Sequence, residues 1–114
     1  MLNGMKLVSL KNKSDFDLVF KEKNFVISSG FLKAYVLLQS IEEINYGFIY
    51  PKKYTKLAVD RNYLKRAAKE MLKTIKLENG FKIIFLVGIK IDPFEKDKIK
   101  KNFVELKRKI EFSS

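Results

Sequence analysis

Lysine and arginine side chains are concentrated in the middle of the chain, where they could bind phosphate groups. Residues 52–76 hold nine basic and two acidic side chains, a net charge of +7 out of +11 for all 114 residues. So large an excess of one charge repels itself unless a polyanion compensates it. Lysine and arginine contacts to phosphates give salt-dependent affinity with little sequence discrimination. The segment therefore predicts nucleic-acid binding, with an anionic membrane surface as the second candidate.

Two residue types that often carry catalysis are missing, because the chain contains no histidine and no cysteine. Without histidine it lacks the usual general base and the commonest zinc ligand. Without cysteine it forms no disulfides and no thiolate metal sites. A carboxylate site for Mg²⁺ remains open, but the adjacent acidic pair Glu42-Glu43 is typical of a surface turn. We therefore expect no catalytic residue and no metal site in the chain itself.

The basic segment contains a helix whose apolar and basic side chains separate when it is drawn at about 100° per residue. One arc, here called the apolar arc, comprises Leu64, Ala67, Ala68, Met71, Leu72 and Ile75, and the basic arc comprises Arg61, Asn62, Lys65, Arg66, Lys69, Lys73 and Lys76. A merely solvated helix would interleave both signs, and a membrane-surface helix would need a larger apolar face. The apolar arc is therefore predicted to pack on a sheet and the basic arc to bind RNA or DNA. Asn62 could read a nucleotide edge or cap the helix start.

The other segments predict the elements that position this helix, in the order α-β-β-β-α-β-α. We expect a first helix that is capped by Ser14 and ends near Glu22, followed by strands over 25–28, 31–38 and 44–50. The basic helix is expected from about Asp60 to Leu77, where Asn79-Gly80 ends it. A buried strand over 81–89 and a final helix from about Phe94 complete the chain. The core is expected to include Phe81, Phe85, Phe103 and Phe112. The chain is therefore predicted to be a single domain over residues 1–114, an α+β sandwich whose helices pack on about four strands.

The sequence also bears on location. No apolar run approaches the roughly 18 residues of a membrane span. Residues 1–5 lack the charged and apolar segments of a signal peptide, and either Met1 or Met5 could be the natural start. A cytoplasmic location is the expectation.

The string from Lys52 to Glu70 resembles the signature of the bacterial ribonuclease P protein component. In that family a Lys-Lys pair ends a strand, an Ala-Val-like step follows, and an Arg-Asn motif with Lys-Arg opens a helix; here these positions are Lys52-Lys53, Ala58-Val59 and Arg61-Asn62-x-x-Lys65-Arg66. Phe16 and Phe20 in the first helix, Tyr35 in a strand and Gly47-Phe48 match further family positions. Tyr63 departs from the pattern, since the family usually has arginine there. Its ring could stack on a nucleotide or simply pack.

The resemblance implies a subunit of a ribonucleoprotein endonuclease. In that family the protein partners a large catalytic RNA, which removes the 5′ leader of precursor tRNA with the help of Mg²⁺ bound mainly by the RNA. No obligate protein partner and no membrane are implied. The implied fold is of the kind seen in the second domain of ribosomal protein S5, with a left-handed βαβ crossover, whereas most such crossovers are right-handed.

Two sets of site residues follow from this resemblance. The catalytic RNA is expected to contact Lys52, Lys53, Lys56, Arg61, Asn62, Lys65, Arg66 and Lys69, and the leader is expected to contact Phe16, Phe20, Lys33 and Tyr35, in a cleft between the first helix and the sheet. Aromatic faces beside cations hold single-stranded nucleic acid by stacking, at about 1–3 kcal/mol per base. Without the resemblance, both phenylalanines would be assigned to the core.

Two other functions are consistent with the residues alone. The first is a general RNA-binding protein of ribosomal type, which would use the same basic helix without an enzymatic partner. The second is a metal-dependent protein nuclease.

Overall fold

Eight segments of regular structure follow one another along residues 4–114, the part of the chain that the computed structural model describes. They are β1 (Lys6–Ser9), α1 (Lys13–Glu22), β2 (Phe25–Ser29), β3 (Leu32–Gln39), β4 (Glu43–Ile49), α2 (Ala58–Thr74), β5 (Gly80–Val87) and α3 (Lys96–Ser113). The α+β class is confirmed, but the sheet has five strands and not four. The additional strand, β1, was missed because only Leu7 and Val8 are apolar in its four residues, which is too short for a periodic pattern.

The strands lie in the order β1-β4-β5-β3-β2. The predicted buried strand, β5, is central, parallel to β4 and antiparallel to β3. Its apolar run is buried on both faces, as the sequence predicted, because helices lie on both sides of it. Since α2 joins the parallel neighbours β4 and β5, these three elements form the expected βαβ unit. Its left-handed crossover stays a prediction.

One face of the sheet, here called the core face, is covered by α2 and α3. Side chains fully or almost fully buried there are Leu64, Ala68, Leu72, Ile99, Phe103, Leu106 and Ile110 from the helices and Leu32, Ala34, Val36, Ile83 and Phe85 from the strands. The apolar arc of α2 therefore packs on a sheet, as expected. Phe112, in contrast, is 91% exposed, so its assignment to the core was wrong. It lies nine residues after Phe103, which at about 100° per residue places it on the opposite side of α3.

The opposite face of the sheet, here called the cleft face, carries α1. Val19 from α1 is fully buried against it, whereas Leu18 is exposed and does not anchor the helix. The helix begins at Lys13 with Asn12 at the N-cap position, and no side-chain hydrogen bond caps it. The prediction that Ser14 caps α1 was therefore wrong.

The end of α2 also differs from the prediction. The helix ends at Thr74, because Ile75 has an extended backbone; its side chain is still buried in the core. The N–H of Lys76 then donates to a carboxylate oxygen of Glu111 on α3, at 2.7 Å. Asn79-Gly80 does not end the helix, since Gly80 is the first residue of β5. Tertiary contacts have overridden a local helix-stop signal.

Gly80 is required by close packing between backbones. A methyl group at this position would overlap the backbone of Ile41 and Glu43. We expect Gly80→Ala to lower the free energy of unfolding by about 3 kcal/mol, since neither strand can yield easily. Urea denaturation would measure the loss. Gly88→Ala is the matched control, because a methyl there meets only Leu86 at an ordinary 3.5 Å, and an equal loss in both variants would contradict the prediction.

Polar contacts hold α3 to the edge strand β2. The buried Ser29 hydroxyl donates to a carboxylate oxygen of Glu105 at 2.6 Å, and Lys109 Nζ donates to the Ser28 carbonyl at 2.9 Å. The Ser29 hydrogen bond and the nearby charge of Lys109 lower the pKa of Glu105. These contacts fix α3 along the sheet, and with it the separation between α3 and α2.

Within residues 4–114 no helix is both long and apolar enough to cross a bilayer. A cytoplasmic location stays a prediction. The question of Met1 as the natural start lies outside the described residues.

Candidate nucleic-acid interface

The basic arc of α2 faces away from the core. Lys65, Arg66 and Asn62 are exposed, whereas Lys69 is half-buried, with Nζ 5.8 Å from the centre of the Tyr46 ring. The basic arc itself contains no acidic residue. In the structure Glu70 lies 3.3 Å from Lys73, the one ion pair on α2 among residues 4–114. The rest of the arc keeps its like charges side by side, as an anion-binding surface requires.

The loop before α2 is shaped by Arg61. Its Nη1 donates to the carbonyl oxygens of Thr55 at 2.7 Å and Lys56 at 2.8 Å. These two bonds use two of the five hydrogens of the guanidinium group. The loop is also tied to the segment after β5, because the Ile91 N–H donates to the Tyr54 carbonyl at 3.3 Å. Arg61 therefore has a structural role that its assignment to the RNA contact did not include.

Three lysines of this loop are presented to solvent. Lys52, Lys53 and Lys56 are all exposed, and Lys53 Nζ lies 4.9 Å from the centre of the Tyr54 ring. A loop held by its backbone carbonyls leaves these ammonium groups available for phosphates. The structure thus brings the predicted loop lysines to the start of the basic helix.

Asn62 does not cap the helix. The N-cap position is Leu57, and Asn62 is an exposed residue within the first turns of α2. The capping interpretation was wrong, and a nucleotide contact by Asn62 stays a prediction.

Tyr63 packs against the segment before α3. Its ring makes an edge contact with Phe94, at 6.0 Å between ring centres, and Lys96 Nζ lies 5.1 Å from its centre. Its hydroxyl is buried without a hydrogen-bond partner among the residues described. Packing is therefore the interpretation that the geometry favours. Lys96 brings a positive charge close to the tyrosine.

The second predicted set of residues lies on the cleft face, between α1 and β3. The Phe20 ring contacts the Tyr35 ring edge-on, with 4.8 Å between ring centres and 70° between planes. Both rings are half-buried and keep part of their surface accessible. Phe16 is also half-buried and lies over Gly47, where an added methyl group would come within 2.5 Å of Phe16 Cζ. Phe16, Phe20 and Tyr35 thus lie together between α1 and the sheet, and this group of rings is here called the aromatic cleft.

A lysine and further apolar side chains lie beside the aromatic cleft on the same face of the sheet. Lys33 is exposed two residues before Tyr35, on the same face of β3. The strand register places Val26 opposite Tyr35 and Leu86 opposite Lys33, with Ile49 beyond Leu86 on β4. The sequence did not indicate that these three residues are neighbours, because they come from three different strands, β2, β5 and β4, and meet only through the strand register.

The two predicted sites lie on opposite faces of the sheet. The apolar arc of α2 packs on the core face, while Phe20, Lys33 and Tyr35 lie on the cleft face. One site is a convex row of cations and the other is an aromatic cleft with a lysine at its edge. Among residues 4–114 no group of three or more acidic side chains is placed to hold a metal ion. The arrangement therefore offers phosphate binding and base stacking.

The fold is an α+β sandwich with a mixed five-stranded sheet. A cationic helix on one side of that sheet and an aromatic cleft on the other are features of a small RNA-binding protein. The model of the ribonuclease P family matches residues 5–111, so the chain belongs to the ribonuclease P protein family. Its role is that of a ribonuclease P subunit supporting tRNA processing. The resemblance seen in the sequence is thereby confirmed.

Solved structures agree on the fold. The ribonuclease P protein of Staphylococcus aureus is 21% identical, with a TM-score of 0.73, and the match covers 93% of this chain and 97% of that one. A mutant of the S. aureus protein with defective mRNA degradation activity is also 21% identical, with a TM-score of 0.74 and coverage of 90% and 86%. The Thermotoga maritima ribonuclease P protein is 21% identical, with a TM-score of 0.60 and 90% of each chain covered. A search of the curated proteins found no match.

Proposed function

We propose that this chain binds the catalytic RNA of ribonuclease P through α2 and the loop before it, and the 5′ leader of precursor tRNA through the aromatic cleft. The hydrolysis of the leader is left to the RNA and to Mg²⁺ bound mainly by that RNA. One observation carries the proposal, namely that two surfaces of different chemistry lie on opposite faces of one sheet. With this arrangement one RNA segment can bind on each face without the two competing for space.

The basic arc suits a folded RNA. A structured RNA presents closely spaced phosphates, and a row of cations on a rigid helix meets them without ordering a flexible segment. The residues proposed for this contact are Lys52, Lys53, Lys56, Arg61, Asn62, Lys65, Arg66 and Lys69. Since Arg61 also fixes the loop carbonyls, it both positions the lysines and presents its remaining donors.

The aromatic cleft suits a single strand. Unpaired bases stack on aromatic rings in a way that tolerates any sequence, and a neighbouring lysine binds the backbone. A leader varies from one precursor tRNA to another, so recognition by stacking and charge is appropriate. The residues proposed for this contact are Phe16, Phe20, Lys33 and Tyr35, with Phe20 and Tyr35 as the accessible rings.

The residue types of the chain support the proposal that the RNA performs the hydrolysis and the protein only binds. The chain has no histidine, and both surfaces consist of lysine, arginine, asparagine and aromatic side chains. Such groups bind and orient a nucleic acid but lack the usual general base. We therefore assign no catalytic residue to the protein.

A cleavage assay tests the proposal. At a Mg²⁺ concentration too low for the ribonuclease P RNA to act alone, adding the purified chain should allow cleavage of precursor tRNA. If the chain gives no rescue and binds ribosomal RNA equally tightly, it is a general RNA-binding protein. Cleavage by the protein in the absence of RNA would instead identify a protein nuclease.

A further inference from the structure

A groove of about 530 Å³ runs between α2 and α3 and has no part in either proposed contact, apart from one shared residue. Its floor and walls are formed by Ala67, Met71, Thr74, Phe103 and Val104, with Tyr63 lining it as well, and its charged residues are Arg66, Glu70, Lys100 and Lys107. Arg66 also belongs to the basic arc of α2. The groove is thus an apolar channel with three cations and one carboxylate along it.

Two properties of the groove point to a ligand. Val104 is 67% exposed on a helix whose other exposed positions are mostly charged. In addition, α3 carries seven basic and three acidic side chains, a net charge of +4. An apolar floor bordered by cations is suited to a partner that combines flat apolar groups with negative charge, as a nucleobase and its phosphate do.

We propose that the groove between α2 and α3 binds an unpaired strand of the same RNA that docks on α2, with phosphates on Arg66, Lys100 and Lys107 and a base over Val104. The inference rests on the proposed function, which it extends from α2 to α3. Arg66 makes the groove continuous with the basic arc, so an RNA bound there passes the mouth of the groove. Lys100 and Lys107 are two helical turns apart, about 10 Å, so the strand must run along α3 to meet both.

Other occupants fit less well. A second copy of this chain would bring a net charge of +11 to a groove already edged by cations. An acidic amphipathic helix of another protein would match the charges, but it would have to share Arg66 with the RNA on α2. The positive charge of the groove and its continuity with the basic arc through Arg66 together favour RNA as the occupant.

Photocrosslinking distinguishes these occupants. The photoreactive amino acid p-benzoylphenylalanine is introduced in place of Val104, and separately in place of Phe112 and Asn62, in the full chain bound to ribonuclease P RNA. All three positions are exposed, and Phe112 lies on the opposite side of α3 from the core. We expect RNA crosslinks at Val104 and Asn62 and none above background at Phe112. RNA crosslinks at Asn62 without any at Val104 would overturn the groove proposal but would still support the α2 contact. An absence of RNA crosslinks at Asn62 would count against the proposed function itself.

Crosslinking at Val104 to a second copy of the chain would also overturn the proposal. Equal crosslinking at Val104 and Phe112 would do the same, because it would show contact without a defined site.

A charge-matched pair of double variants supplies an independent measurement. Lys100→Ala with Lys107→Ala removes the two groove lysines, while Lys101→Ala with Arg108→Ala removes two exposed cations of α3 with the same spacing outside the groove. We expect the groove variant to bind ribonuclease P RNA about tenfold more weakly than the control, and to lower the slope of log K against log salt by about 1.4. Equal losses in the two variants would mean that α3 acts only through its overall charge, and the groove proposal would fall.

Discussion

Replacing Lys65 and Lys69 together by alanine is expected to weaken binding of the chain to ribonuclease P RNA by about 100-fold. Each substitution removes a charge-assisted contact to phosphate, and two such contacts at the lower end of about 1.5–3 kcal/mol each give a loss of this size. The slope of log K against log salt should fall by about 1.4–1.8, since each phosphate contact contributes about 0.7–0.9. Filter binding at several salt concentrations measures both quantities.

The control for this result is the double variant Lys101→Ala with Arg108→Ala, which has the same net charge. It should lose far less affinity, because its cations lie on α3 outside both the basic arc and the groove. Lys69 also lies over the Tyr46 ring, a contact of about 0.5–1 kcal/mol, so thermal unfolding of each variant must show that the fold persists. If both double variants lose affinity equally, α2 is not a specific docking surface.

Phe20→Ala is expected to weaken binding of precursor tRNA to the assembled enzyme about tenfold and to leave binding of mature tRNA unchanged. The ring is partly accessible beside Tyr35, and loss of one stacked base corresponds to about 1–3 kcal/mol. Mature tRNA lacks the leader and therefore has nothing to lose. Binding of both tRNAs to the complex of the chain with its RNA provides the measurement.

Leu18→Ala is the matched control for Phe20→Ala, because it truncates an exposed side chain of the same helix. It should change neither affinity. Removing Phe20 also removes its edge contact with Tyr35, worth about 0.5–1.5 kcal/mol, so stability should fall slightly in that variant. An equal loss for precursor and mature tRNA would show that Phe20 is structural and that the leader lies elsewhere.

The sequence predicted the elements whose patterns are long and regular. The apolar run of β5 and the stripe of Ile99, Phe103, Leu106 and Ile110 on α3 are buried as expected, because burial on two faces or on one helical stripe leaves a clear periodicity. It failed for β1, where four residues carry too little pattern, and for the end of α2. There the helix ends at Thr74, because Ile75 is extended although its side chain is buried as the apolar arc predicted.

The features of the candidate site also divide into those that the sequence could predict and those that it could not. The basic arc could be predicted because it depends only on residue type and helical spacing, both of which are local. That Arg61 binds the carbonyls of Thr55 and Lys56 could not, because it depends on the path of a loop. Nor could the sequence place α2 and the aromatic cleft on opposite faces, since the side of the sheet on which each helix lies is decided by the connections between strands.

Because the sheet separates α2 from the aromatic cleft, we expect the two proposed contacts to be nearly independent in energy. Sites more than about 7–10 Å apart that share no partner usually add within about 0.3–0.5 kcal/mol. If the proposed contacts hold, a change in a cleft residue such as Phe20 alters the preference for particular leaders without disturbing assembly with the RNA. Substitutions on α2 can likewise compensate for changes in the RNA without altering substrate choice. The fold thus allows one surface to evolve while the other is held constant.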